Sequence, residues 1–456
     1  MERERLGSRL GFILLSAGCA IGLGNVWMFP YRAGANGGAV FVLFYLLFLV
    51  IMGIPVMTME FALGRASQKS PARLYHTLEP KGSKWHLHSY AALAGNYLLM
   101  MFYTSVSGWL LKYCVATAAG DFEGLDKTGI ENYFASIKAD PLLMIFLVLF
   151  VVVLGFFVCS FSLQKGIERI TKYMMSALLV IMIILAINSC FLEGGSEGLK
   201  FYLVPDFEKV QKVGLLNIIV AAMNQSFFTL SLGIGSMAIF GSYIGKERAL
   251  MGESVRVAVL DTFVAITSGL IIFPACFAYD VDVNAGPDLI FITLPHVFNN
   301  LPLGRVWGTF FFSFLIFAAF STVLAIFENL ISCTKDLFGW SRKKASLINC
   351  ILMFVLALPC ALGTNLLSFV KPFGGSSTIM DFEDFLVSNL LLPIGSLVFV
   401  VFCSHKFGWG WKNFIKEANT GKGLKFPEKI RPYIAYVLPV IIFALFLLGL
   451  YSFFVK

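Results

Sequence analysis

The chain has 456 residues, 58% of them apolar and 14% charged, with a net charge of +8. Soluble domains are nearer half apolar and a quarter charged, and the 47 phenylalanines here cannot all face water. This composition specifies a polytopic helical membrane protein and excludes a secreted, disordered or nucleic-acid-binding one. Crossing a bilayer takes about 20 mostly apolar residues. Eleven stretches qualify: 10–32, 39–63, 88–115, 140–158, 167–190, 213–241, 254–279, 306–334, 346–362, 382–403 and 431–454. The first is too long, and too closely followed by the second, to be a cleaved signal peptide.

Orientation follows from the basic residues. With the N-terminus inside, 25 of the 35 Lys and Arg fall in inner segments and 8 in outer ones. The positive-inside bias therefore puts the N-terminus in the cytoplasm and the C-terminus outside. It also explains the basic 404–431 loop without a nucleic-acid partner. The nine cysteines contain no CxxC pair and read as small packing residues. The five histidines show no ligand spacing; His86 and His88, two apart, fall on different faces of a helix.

Two spans differ from the rest. Span 1 carries Gly18, Gly22, Gly24 and Asn25 at its middle, and span 6 carries Ser231, Gly233, Gly235 and Ser236. Clustered glycine with hydroxyl or amide neighbours permits unwinding. Gly-interrupted helices at matching places in two halves point to an inverted-repeat transporter with its site at the midplane. Spans 1–5 (9–190) and 6–10 (213–404) form the halves of one domain covering 1–456, and span 11 (431–454) is an addition. The alternative for the glycines is close helix packing of the small-xxx-small kind.

Unwinding frees carbonyls that attract cations and amides that attract anions. Such a site suits a zwitterion with a small hard cation held by oxygens. Thr229, Ser231, Ser321 and Thr322 add hydroxyls, although isolated ones usually bond back to their own helix. Intramembrane carboxylates are functional candidates; these are Glu60, Asp261 and Glu328, with Asp336 and Asp381 near span ends. No HExxH, Walker A or GxSxG pattern supports an enzyme or an ATP-driven pump, so no catalytic residue is assigned.

The segment RLGFILLSAGCAIGLGNVWMFP (9–30), followed by NGG (36–38), GIPVMTMEFALGR (53–65), FFTLSLGIGS (227–236) and FSTVLAI (320–326), resembles the neurotransmitter:sodium symporters, in particular their bacterial amino-acid branch. The resemblance implies two sodium sites. One would use Ala20, Asn25, Thr229, Asp261 and the substrate carboxylate; the other Gly18, Ile21, Ala318, Ser321 and Thr322. Substrate would lie among Ala20, Gly22, Leu99, Tyr103, Phe228, Ser231, Ile234, Thr322 and Ile326. Tyr103 would bind its carboxylate, and Phe228 would close over it. Glu60 would cap freed amides of span 6, and Arg3 with Asp336 would form the inner gate. Glycine at position 22, where monoamine members carry aspartate, implies an amino-acid substrate.

Departures from the family pattern carry expectations of their own. Met28 replaces the outer-gate arginine, so Arg32, one turn on, either reaches Asp381 in its place or snorkels to the interface. Ser176 replaces a proline of a Gly-x9-Pro motif, which argues against unwinding of span 5. Asp261 stands where asparagine is usual, and Ala265 where chloride-dependent members have serine. Tyr45, Gln225 and Thr229 match the other positions of the chloride site. Asp261 is therefore expected to replace chloride. The sequence predicts an all-α inner-membrane importer of neutral hydrophobic or aromatic amino acids, coupled to Na⁺. A transporter of another small zwitterion, a gated channel and a transporter-like sensor are the competing readings.

Overall fold

The computed structural model describes residues 4, 6–279 and 289–454. Helices occur where the hydropathy places them. Nine are long and apolar enough to cross a membrane among the described residues: Ala39–Ser67, Leu87–Ala119, Pro141–Ser160, Gly166–Cys190, Leu250–Ala278, Gly304–Phe338, Arg342–Leu362, Ile379–Ser404 and Glu428–Tyr451. Span 1 is a bent pair, Arg9–Ala20 and Gly24–Ala35, with a 54° change of direction. Span 6 is also two pieces, Leu215–Thr229 and Ser236–Gly241, neither of which would cross alone. The bilayer forces this helical solution, because backbone groups in hydrocarbon must be paired within the segment.

Local chemistry sets the ends. Span 4 starts where Asp140 accepts from the Leu142 and Leu143 amides at 3.0 and 3.1 Å, with Pro141 in the first turn. Spans 3 and 8 are the longest and, with span 7, the most buried of the unbroken spans, whereas span 11 is largely exposed. Exposed Phe146, Phe157 and Phe443 lie on the rim of the bundle, where lipid rather than water is the neighbour. Span 5 is continuous from Arg169 to Cys190 through Ser176. A π-helical turn, Gln164–Glu168, precedes it.

Candidate functional site

Both breaks lie at the centre of the bundle. In span 1 the helix stops at Ala20 and resumes at Gly24, and the side chain of Asn25 accepts from the Gly22 amide at 3.2 Å. Asn25 Nδ2 donates to Asp261 Oδ1 at 2.8 Å and to the Asp261 backbone carbonyl at 3.1 Å. Thr229 donates to the Asp261 carboxylate at 3.0 Å and Tyr45 at 3.3 Å. Asp261 is fully buried, and no lysine or arginine forms an ion pair with it among the described residues. The result is a carboxylate, an amide oxygen and a hydroxyl gathered at one broken helix. An oxygen set of that kind suits a hard cation.

A second cluster has no carboxylate. The Thr322 hydroxyl lies 3.2 Å from the Gly18 carbonyl, 3.4 Å from Ile21 and 3.5 Å from Cys19 and Ala318. Ser321 Oγ is 2.9 Å from the Ala318 carbonyl and 3.4 Å from Ile21. The Gly18 and Ile21 carbonyls lie past the last helical bond of span 1, from Ile21 N–H to the Ala17 carbonyl, and two shared hydroxyl protons do not fill their lone pairs. The surplus of lone pairs again fits a small cation.

Span 6 breaks in the opposite sense. Ser231, Gly233 and Gly235 adopt φ of +50°, +101° and +74°, which turns backbone amides toward a carboxylate. Glu60, buried in span 2, accepts from Gly233 N–H at 2.7 Å and Met237 N–H at 3.3 Å. From the other side, Asn96 of span 3 donates to the Ile234 carbonyl at 2.9 Å and accepts from Asn329 of span 8 at 3.0 Å. Span 10 packs so closely that a Cβ at Gly233 would lie 2.9 Å from Leu392 Cα.

Between the breaks lies a cavity of about 20 Å³, lined by Ala20, Gly22, Leu99, Tyr103, Phe228, Ser231 and Thr322, with Cys19, Gly24 and Leu392. Tyr103 Oη accepts from the Leu23 amide at 2.9 Å, and Ser231 donates to the Cys19 carbonyl at 3.2 Å. Among the described residues, no charged side chain lines it. A Cβ at Gly22 would meet Tyr103 Oη and approach Thr322 Oγ1 to 2.5 Å, so no side chain fits there in this conformation.

Two expectations need correction, and a third falls on a residue outside the described ones. Ile234 and Ile326 are buried but do not line the cavity; Ile234 turns into the space left by Gly95, and Leu392 takes a place on the wall. Arg32 does not meet Asp381. It donates to Gln225 Oε1 at 3.0 Å, and Gln225 in turn donates to the Gly24 carbonyl at 2.7 Å. Asp381 is exposed and caps its own helix, accepting from Thr378 N–H at 2.7 Å. The carboxylate electrostatically coupled to Arg32 is Asp384, one turn on. Arg3 lies outside the described residues; Asp336 accepts from Ser70 N–H at 2.7 Å.

Several residues escaped the sequence reading. At the end of the bundle that holds the N-terminus, Glu4 pairs with Lys335 at 3.0 Å and Arg342 at 3.3 Å. Burial pushes the Glu4 carboxyl up, but Arg342, Lys335 and the Leu163 amide hold it below the usual carboxylate range. Arg342 also pairs with Glu328, and Arg9 with Glu253 at 2.8 Å. Glu328 is thus half of a buried ion pair. The opposite end is closed by rings: Phe291 stacks on Phe134 at 4.8 Å and meets Trp27 and Trp109 edge-on. The polar signal for Asn96, Asn329, Glu383 and Asp384 was present, since all four interrupt apolar runs.

Residues 3–123 and 131–455 match the sequence profile of the sodium:neurotransmitter symporter family. The chain belongs to that family. It is 36% identical over 395 residues to YhdH, an uncharacterized sodium-dependent transporter of Bacillus subtilis, covering 87% of this chain and 86% of that one. It is 31% identical over 461 residues to an uncharacterized sodium-dependent transporter of Haemophilus influenzae, covering 99% of each. Among solved structures it matches MhsT in complex with L-phenylalanine, with a TM-score of 0.88 and 35% identity. That match covers 98% of this chain and 99% of the other. The protein is therefore a multi-pass, sodium-dependent membrane transporter with the symporter fold of inverted five-helix halves.

Proposed function

We propose that the protein imports neutral, hydrophobic or aromatic amino acids with two sodium ions, by alternating access and without chloride. The observation that carries this reading is the cavity itself, walled by Leu99, Phe228 and Leu392 and free of charged side chains, between two broken helices. In this reading the substrate carboxylate lies beside Gly22 and Tyr103 and completes the first sodium site with Ala20, Asn25, Thr229 and Asp261. The second ion takes the carbonyls of Gly18, Ile21 and Ala318 and the hydroxyls of Ser321 and Thr322. A relative of the same fold, MhsT, has been solved with L-phenylalanine, which supports an apolar substrate.

Asp261 supplies the reason for chloride independence. Two cations and a zwitterion bring a charge of +2 into a dry site, where uncompensated charge is heavily penalised. Tyr45 and Thr229, two of the residues that would hold chloride, already donate to the Asp261 carboxylate. Gln225 is turned to Gly24 and Arg32 instead.

The distribution of Lys and Arg supports a cytoplasmic N-terminus in the inner membrane. Residues 9–190 and 213–404 then act as the two repeats of one domain. The driving force suffices: two charges crossing about 100 mV gain roughly 4.6 kcal/mol, and a tenfold sodium gradient adds about 1.4 kcal/mol per ion. The test is sodium-dependent uptake into proteoliposomes with each of the twenty amino acids as competitor. Competition by phenylalanine, tyrosine or leucine, with none by lysine or glutamate, is the expected result. Equal competition by lysine or glutamate overturns the reading.

A further inference from the structure

The connection between spans 2 and 3 brings together three side chains that sequence spacing keeps apart. Span 2 ends at Ser67, and a short helix, Pro71–Leu78, follows. His76 stands in its last turn and Glu79 at its C-cap. Gly82, at φ +82°, then reverses the chain, with Ser83 N–H bonded to the Pro80 carbonyl at 3.1 Å. His86 is thereby returned to the same point, one residue before span 3 begins at Leu87. Because His86 precedes the helix, its two-residue spacing from His88 does not matter. Its partner is His76, whose ring stacks on it at 4.6 Å with 14° between planes.

Glu79 lies at the edge of both rings, beside their Nδ1 atoms. Its Oε1 is 2.7 Å from His86 Nδ1 and 3.8 Å from His76 Nδ1. Its Oε2 accepts from Ser83 Oγ at 2.9 Å and from His86 N–H at 3.1 Å. Burial raises the Glu79 carboxyl, but these bonds outweigh it and hold the group below the usual carboxylate range. One ligating atom from each of His76, Glu79 and His86 falls within 4.8 Å of the others.

We propose that His76, Glu79 and His86 form a site for a divalent transition-metal ion of the zinc class. Two imidazoles and one carboxylate are a donor set that zinc prefers and sodium does not. Ligands about 2.0–2.1 Å from a tetrahedral ion lie roughly 3.3 Å apart, and the 2.7 and 3.8 Å separations bracket that value. The bonds to Oε2 from Ser83 and the His86 backbone would orient the carboxylate from behind, as outer-shell partners do at metal sites. Water completes the coordination, because His76 faces solvent.

Occupancy would tie the end of the Pro71–Leu78 helix to the start of span 3. The beginning of that helix is held elsewhere, by the Ser70 amide on Asp336 of span 8. Span 2 carries Glu60 under the broken span 6, and span 3 carries Leu99 and Tyr103 of the cavity wall. A metal here would stiffen the joint between them and slow transport from the face that holds the N-terminus.

The test titrates the purified, tag-free full chain in detergent with Co²⁺, reading its visible ligand-field absorption, then displaces it with Zn²⁺. One equivalent should bind, and His76→Ala or His86→Ala should weaken binding about tenfold or more. The control His405→Ala should bind as the wild type does. The His76 side chain is 38% exposed, so its removal leaves the packing intact; a size-exclusion profile and helical circular dichroism confirm this. Equal cobalt affinity in wild type, His76→Ala and His86→Ala, or no ligand-field band at all, overturns the proposal and leaves a hydrogen-bonded His–Glu trio only. Binding is read without transport, so its failure is distinct from failure of the transport reading. Slowing of sodium-dependent uptake by Zn²⁺ in wild type but not in His76→Ala then tests the consequence.

Discussion

The two broken helices solve the same problem with opposite chemistry. Span 1 opens over three residues and leaves carbonyls, which Ser321 and Thr322 only partly satisfy. Span 6 opens over six residues with left-handed backbone and leaves amides, which Glu60 satisfies with a full carboxylate. One break is therefore rich in lone pairs and suited to cations; the other is closed by an anion the protein supplies. A break that keeps a deficit can bind, and a break whose groups are paired can hold shape.

This contrast predicts that damage at span 6 acts on stability and damage at span 1 on sodium. The largest loss is expected for Gly233→Ala. Its φ of +101° and the Leu392 backbone at 2.9 Å leave no room for a methyl group, and backbone strain alone costs about 1–3 kcal/mol. Thermal unfolding in detergent should show a large drop, with no measurable uptake. Glu60→Ala comes next, because two buried N–H groups lose their acceptor at about 1–3 kcal/mol each. Glu60→Gln, which still presents one oxygen, should fall between it and the wild type in the same melt.

Ser321→Ala with Thr322→Ala should leave the melting temperature nearly unchanged and raise the sodium half-saturation by at least about tenfold. Each lost oxygen is worth about 1–3 kcal/mol when treated as a hydrogen bond to a charge. A large stability loss with an unchanged sodium dependence would reverse the assignment of roles. The smallest effect concerns Arg32. A double-mutant cycle on uptake should couple Arg32→Ala with Gln225→Ala by more than about 0.5 kcal/mol, and Arg32→Ala with Asp381→Ala by less.

What could be read from sequence divides along physical lines. Spans follow from hydropathy, which integrates over many residues, so all eleven appear within a few residues of their predicted ends. The breaks were legible because glycine and hydroxyl clusters are rare in apolar helices. Asp261 was legible as a carboxylate that hydrocarbon would not tolerate without a task, whereas the roles of Asn25 and Thr229 came from the family resemblance. The cavity wall was less legible. Whether Ile234 or Leu392 faces it depends on the turn taken by residues 230–235, and apolar residues carry no mark of the face they occupy. The exchange of Asp381 for Asp384 is one helical turn at a capped end, set by Thr378 rather than by any long-range signal. His76, Glu79 and His86 converge only because a loop folds back at Gly82.

The most direct test of the whole account concerns the charge at span 1. Sodium-dependent uptake of the amino acid that competes best should be measured in proteoliposomes with chloride and with gluconate as the only anion. It should be measured for the wild type, Asp261→Asn, and Asp261→Asn with Ala265→Ser. If Asp261 is the anion that balances the cations, the wild type transports equally in both salts. The single variant then loses uptake or becomes dependent on chloride, most clearly with the added serine. Wild-type uptake that stops in gluconate would contradict the account, because the carboxylate held by Asn25, Tyr45 and Thr229 would not be doing chloride's work.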